Sequence, residues 1–225
     1  MSHVRSPAFR PSYRLIPSRF PPIGLFDTVA TAADLPAVME LAGWTNDRLV
    51  AQRVARLPQS EWVFGRANAS VVMAAFLHTP LTGARFNSRD LGAWYASADI
   101  RTAAAEVGHH LRREAVARRL PTVSRTYRAY SAQLDGDYID IRGRQSSLPK
   151  LYAPDDYAAS QDIGERLRMT GEGGILYDSV RFAGGVNAAV LRPTCVLNVV
   201  QADHFELSVL AGAKRIEVRK IAKSK

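Results

Sequence analysis

The chain contains a single cysteine, Cys195, among 225 residues. That excludes an internal disulfide framework and any cysteine-rich metal centre. The apolar run after it, 196–200, suits a buried strand thiol. No apolar run approaches the roughly 20 residues of a membrane-spanning helix. The opening MSHVRSPAFRPSYR is basic but lacks the apolar core of a secretory signal, so the cytoplasm is the expected compartment. There is no helix-turn-helix signature, zinc-finger spacing or ribonucleoprotein motif. No internal repeat or low-complexity tract is visible. His109 and His110 are adjacent; on a helix they point about 100° apart and make no tight metal pair.

What is present is an ordinary globular composition. Hydrophobic residues make up 47% of the chain, enough to bury a core. Net charge is +9, which attracts polyanions or an acidic partner without specificity. The densest basic runs are Arg112, Arg113, Arg118 and Arg119, and the tail Lys214, Arg215, Arg219, Lys220, Lys223 and Lys225.

Taken in order, residues 1–10 read as poorly ordered and 13–16 as a short strand, broken by Pro17, Pro21 and Pro22. Helices are expected over 34–42, with Asp34 as cap, over 45–57, and over the apolar 67–78. Strands are expected over 93–97, 123–134 and 137–141, the latter two joined as a hairpin by Asp135-Gly136. A helix over about 155–168 leads to a strand at 175–177. Further strands are expected over 186–191, 196–201, 205–210 and 215–219. This mixture lacks βαβ regularity and implies the α+β class. Residues 1–78 read as an N-terminal segment with a helical extension, packed on a core of 79–225.

The stretch over 83–106, GARFNSRDLGAWYASADIRTAAAE, organises the rest. It reads as loop, strand, then a helix from Asp99 to about Arg119, stopped before Pro121. Asp99 is the expected N-cap. Ile100, Ala104, Val107 and Leu111 recur at helical spacing and form an apolar face. Glu106 points about 130° from that face. On its own that describes a solvated carboxylate, and a functional role requires another element to wall it into a cleft. Arg14, beside an aromatic at the mouth of a proline-rich loop, reads either as a surface ion pair or as a phosphate ligand.

Three blocks resemble the RES domain family, named for its Arg, Glu and Ser. They are Tyr13-Arg14-Leu15; the 83–106 stretch with Arg85, Tyr95 and Glu106; and GILYDSVR over 174–181, followed by Gly184-Gly185 and Asn187. They stand in the family's order. Phe86 replaces the usual tryptophan, and Asp178 the usual proline before Ser179. Asp178 thereby adds a negative charge beside the serine.

The resemblance implies an ADP-ribosyltransferase-like mixed or split sheet that clamps NAD. It further implies a toxin of a toxin–antitoxin pair, with NAD as co-substrate and no metal. Cleaving the nicotinamide–ribose bond needs a carboxylate against the oxocarbenium-like transition state, and Glu106 is the candidate. Arg85 and Arg14 would hold the pyrophosphate, and Tyr95 would stack on nicotinamide. Ser179 would hydrogen-bond the ribose or carboxamide; without an evident base partner it is not read as a nucleophile. Tyr13 and Asn187 complete the binding set, Asn187 and Arg181 more as supports of the serine loop. Asn87 is expected to stabilise its own turn. The acceptor implied is a protein, in one subgroup phosphoribosyl pyrophosphate synthetase; in others it is water or phosphate. The partner implied is an Xre-like helix-turn-helix antitoxin that blocks the site and alone contacts DNA. The reading from another class is a non-catalytic basic nucleotide- or nucleic-acid-binding module.

Overall fold

The computed structural model describes residues 4–20, 24, 26–29, 31–34, 52–53 and 55–222. Nine strands form one mixed sheet: β1 (Arg5–Pro7), β2 (Ser12–Pro17), β3 (Trp94–Ser97), β4 (Thr122–Leu134), β5 (Asp137–Asp140), β6 (Gly174–Asp178), β7 (Val186–Val190), β8 (Val196–Leu210) and β9 (Ile216–Ile221). Their order across the sheet is β1-β5-β6-β7-β3-β2-β4-β8-β9. Every pairing is antiparallel except β5 with β6. Three α-helices accompany it that are described in full: α1 (Ala69–Leu77), α2 (Ile100–Ala117) and α3 (Ala158–Met169). This is the α+β class that the sequence implies.

The helices form where the sequence is locally consistent. Asp99 caps α2, its carboxylate accepting from the Thr102 amide at 2.9 Å and the Thr102 hydroxyl at 2.7 Å. Ala103, Ala104, Leu111 and Ala115 pack with Leu15, Tyr127, Ala129, Leu207 and Val209 of β2, β4 and β8. The nearly uniform apolar α1 is buried against the opposite face with Trp94, Tyr130 and Tyr138. Helix α3 and a 3-10 turn at Pro149–Tyr152 cover a third cluster around Phe86, Ile175 and Tyr177.

Three local expectations change. Arg5–Pro7, read as poorly ordered, is a strand paired with β5. Asp135-Gly136 makes a turn, with Gly136 at φ +84°, but the strands it joins are not a hairpin. Both edges of β4 are taken by β2 and β8, so β5 crosses to pair with β1 and β6. The segments 196–201 and 205–210 are one strand, because bulges absorb the polar stretch between them: Arg128 pairs with His204, and Tyr130 already with Gln201. Asp34 is the last residue of a 3-10 turn at Ala32–Asp34, and its carboxylate accepts from the Thr31 amide and hydroxyl. The remainder of the expected 34–42 helix, and 45–51 of the second, lie outside the described residues; Gln52, Arg53, Ala55 and Arg56 are helical.

The sheet has a seam. β2 meets β3 at one registered pair, Tyr13 with Ser97. On one side lie β2, β4, β8 and β9; on the other β1, β5, β6, β7 and β3.

Ion pairs tie the fold to pH. Hydrogen bonds from Arg125, then Arg118, hold the Glu114 carboxyl down to about 2, and Arg142 does the same for Asp140, to about 2. Burial, then the charge of Arg181, lowers His109 to about 4. In each case the folded state binds protons less readily than the unfolded chain. Stability is therefore full above the ordinary values and is lost as pH falls. We expect the unfolding midpoint in urea to decline in two stages, from 6.5 towards about 4 for His109 and from 4.5 towards about 2 for Glu114. Glu114→Gln should shrink the lower stage alone, leaving the part that Asp140 contributes.

Candidate active site

The site is built where α2 passes the β6–β7 connection. The connection, 179–185, is a tight turn. Ser179 donates its amide to the Gly185 carbonyl at 2.8 Å, and Gly184 supplies φ +77°. Gly185 lies against Thr102 of α2; a Cβ there would come within 2.7 Å of the Thr102 hydroxyl. The turn therefore sits directly on the helix, one turn before Glu106.

Here the carboxylate expected to need a wall receives one. The Ser179 hydroxyl donates to Glu106 Oε1 at 2.7 Å, and Asn187 Nδ2 donates to the same oxygen at 2.7 Å. Asn187 is oriented by Ser97, whose hydroxyl donates to Asn187 Oδ1 at 2.7 Å. Ser179 Oγ in turn accepts from the amides of Arg181 and Phe182, both at 3.0 Å. Both neutral donors thus converge on Oε1, and Oε2 accepts no hydrogen bond among the described residues. Ser179, without a base partner in the sequence reading, has Glu106 as its acceptor. With two amides donating to its oxygen, the serine acts here as a fixed donor.

Register assembles the neighbours. Tyr95 and Ser97 of β3, Asn187 and Ala189 of β7, and Ile175 and Tyr177 of β6 alternate onto one face. Tyr13, paired with Ser97, shares it. Tyr177 is buried and packs edge-on to Phe86 at 4.9 Å. Burial, then the negative charge of Glu106, raises its hydroxyl pKa far above the usual range. The Tyr95 hydroxyl accepts from the Phe86 amide and donates to Asn87 Oδ1, each at 2.8 Å, so its ring is anchored to the 84–87 turn. Asn87 also donates to Thr79 and Ser88, which makes it the support of that turn.

The arginines divide. Arg85 is 7% exposed, donates through Nη1 to the carbonyls of Leu151 and Ala153, and stacks on Tyr157 at 4.7 Å. Its positive charge acts on Tyr95, Tyr177 and His110. Arg181 donates to the Pro154 carbonyl and pairs with Asp155 at 3.5 Å. Together they brace the loop 151–157 beside the serine turn. Arg14 lies elsewhere. Its strand register and its position over Trp94, at 4.9 Å, put it on the face opposite Glu106. It reaches the site's strand through one bond, Nη1 to the Tyr95 carbonyl at 3.1 Å, and its buried Nε has no partner. Burial lowers its pKa to about 10.

Asp178, expected to place negative charge beside the serine, is turned away. Its carboxylate accepts from Gly143 and Gln145, each at 2.7 Å. Ser97 and Tyr177 were not singled out in the sequence; strand alternation from Tyr95 and from Ser179 points to both.

Comparison with known proteins follows this geometry. The family model described as the RES domain matches residues 53–209. The chain belongs to the RES domain family. No curated protein matches it in sequence. Among solved structures it is similar to a chain of the crystal structure of the M. tuberculosis MbcT-MbcA toxin-antitoxin complex. The identity is 18%, over 54% of this chain and 73% of that one, with a TM-score of 0.40.

Proposed function

We propose that this protein is an NAD-consuming enzyme with an ADP-ribosyltransferase-like site, acting as the toxin of a toxin–antitoxin pair. The observation that carries the reading is the half-satisfied carboxylate: Glu106 Oε1 is fixed by Ser179 and Asn187, while Oε2 is left for a ligand. Membership of the RES domain family supports it.

In this reading the nicotinamide–ribose bond breaks with its electron pair leaving on nicotinamide. The ribose carbon becomes cationic, and the Glu106 charge, held still by its two donors, stabilises it. Oε2 holds a ribose hydroxyl and takes the proton of the incoming nucleophile. Tyr95 and Tyr177 offer ring surface for the base. Arg85, with one nitrogen spent on carbonyls, is the cation assigned to the pyrophosphate; Arg14 acts on the site through the Tyr95 backbone. We assign a protein as the acceptor, with an Xre-like antitoxin as the inhibitor.

The binding-module reading rests on the basic tail. Among its described residues, Arg215 pairs with Glu217, Arg219 with Glu206, and Lys220 with Asp203.

The test is nicotinamide release from NAD by purified protein, with and without cell lysate. Release only with lysate, with label on one protein band, is the expected result. Release in buffer alone would make water or phosphate the acceptor. No release under either condition would overturn the NAD reading.

A further inference from the structure

The helix that carries Glu106 also carries a surface that the reaction above does not use. Along α2 and just beyond it, Thr102, Glu106, His109, Arg113, Val116 and Leu120 recur at three- and four-residue spacing and so form one stripe. Its first turns are covered: Thr102 by Gly185, Glu106 by Ser179 and Asn187, His109 by Asp155 at 3.9 Å. Past His109 the cover ends. There a shallow cavity of about 340 Å³ opens, lined by His109, Arg112, Arg113, Val116, Ala117 and Ala211.

Three properties of this groove point to what it holds. Its floor is apolar and uncovered: Val116, 56% exposed, lies there with Ala117 and Ala211. Its rim is basic, since 109–120 carries four arginines against one glutamate, a formal +3. Of the four, Arg112 and Arg113 line the cavity, and Glu114 is bonded instead to Arg118 and Arg125. At its inner end the buried Nε2 of His109 has no hydrogen-bond partner. Apolar floor and cationic rim together complement an amphipathic segment whose polar side is acidic.

We propose that the α2 groove docks an acidic amphipathic segment of a partner protein, which it guides towards Glu106. This deepens the proposed function and rests on it for the second half, in which the inner end of the seated segment, at His109, lies one helical turn from Glu106. The docking half stands on the surface alone.

The probe is a fluorescein-labelled synthetic peptide with leucines on one helical face and glutamates beside them; the control has lysine for glutamate. Polarisation should show the glutamate peptide binding, more tightly at low salt, and the lysine peptide not. Arg113→Glu and Val116→Asp, both at exposed side chains outside the catalytic set, should each weaken binding about tenfold. Nicotinamide release in buffer, or its failure to occur there, should be the same for both variants as for the unaltered protein. Equal binding of the two peptides, or variants that bind like the parent, would overturn the groove. Binding with the expected variant effects but no NAD consumption under any condition would leave the groove standing and remove the NAD reading.

Discussion

Glu106→Gln is expected to lower nicotinamide release at least a hundredfold, the scale seen when one group stabilising transition-state charge is removed. The substitution is close to isosteric. The glutamine oxygen can occupy the Oε1 position and still accept from Ser179 and Asn187. Its amide then occupies the position of Oε2, so what is lost is the charge and one acceptor. Glu106→Ala is a poorer experiment, because it strands the buried Asn187 amide, at about 1–3 kcal/mol, and leaves the half-buried Ser179 hydroxyl without its acceptor. The glutamine variant should melt within a few degrees of the parent, and nicotinamide measured by chromatography should fall to near background. A variant that folds and releases nicotinamide at the parent rate would place the chemistry elsewhere.

Gly164→Ala carries the second large effect, on stability. Helix propensity alone favours alanine over glycine by about 1 kcal/mol. The structure reverses the sign. A Cβ on Gly164 would stand 1.9 Å from the Phe86 carbonyl oxygen and 2.6 Å from its carbon. These are backbone atoms of the turn that holds Arg85, Asn87 and the Tyr95 hydroxyl, so they cannot swing aside as a flexible side chain would. Helix α3 must move off the turn, at a cost near the upper end of the 1–3 kcal/mol typical of overpacking, or about 3 kcal/mol. For a chain of this size that lowers the melting temperature on the order of 10 °C. Because Phe86 moves with it, NAD turnover should fall as well. A melting temperature equal to or above the parent's would show that α3 does not press on the turn.

These residues show what sequence can and cannot disclose. Asp99, Ile100, Ala104 and Leu111 are legible because cap and apolar face are local patterns, repeated within a few residues. The surroundings of Glu106 are not legible from its helix. Its periodicity sends it outward, and its donors come from 73 and 81 positions further along the chain. The resemblance to a family singled out Ser179 and Asn187, but as substrate contact and loop support rather than as donors to Glu106. Asp135-Gly136 fails for a related reason. Its turn chemistry is sound, but strand pairing depends on which edges are free, and both edges of β4 are occupied. The carbonyls that Arg85 braces belong to a loop that carries no marker in the sequence. Arg14 shows the limit of a motif without register: one residue along a strand exchanges one face for the other.

The seam at Tyr13 and Ser97 has a thermodynamic consequence. Helix α2 packs on the strands of one side, whereas Ser179 and Asn187 belong to strands and turns of the other. The hydrogen bonds that ready the carboxylate are thus also clasps between the two halves of the molecule. Whatever parts the halves disarms Glu106, and whatever binds across it locks them together. Affinity for a ligand and resistance to unfolding are in this protein two readings of one linkage, and a melting curve taken with ligand present measures both.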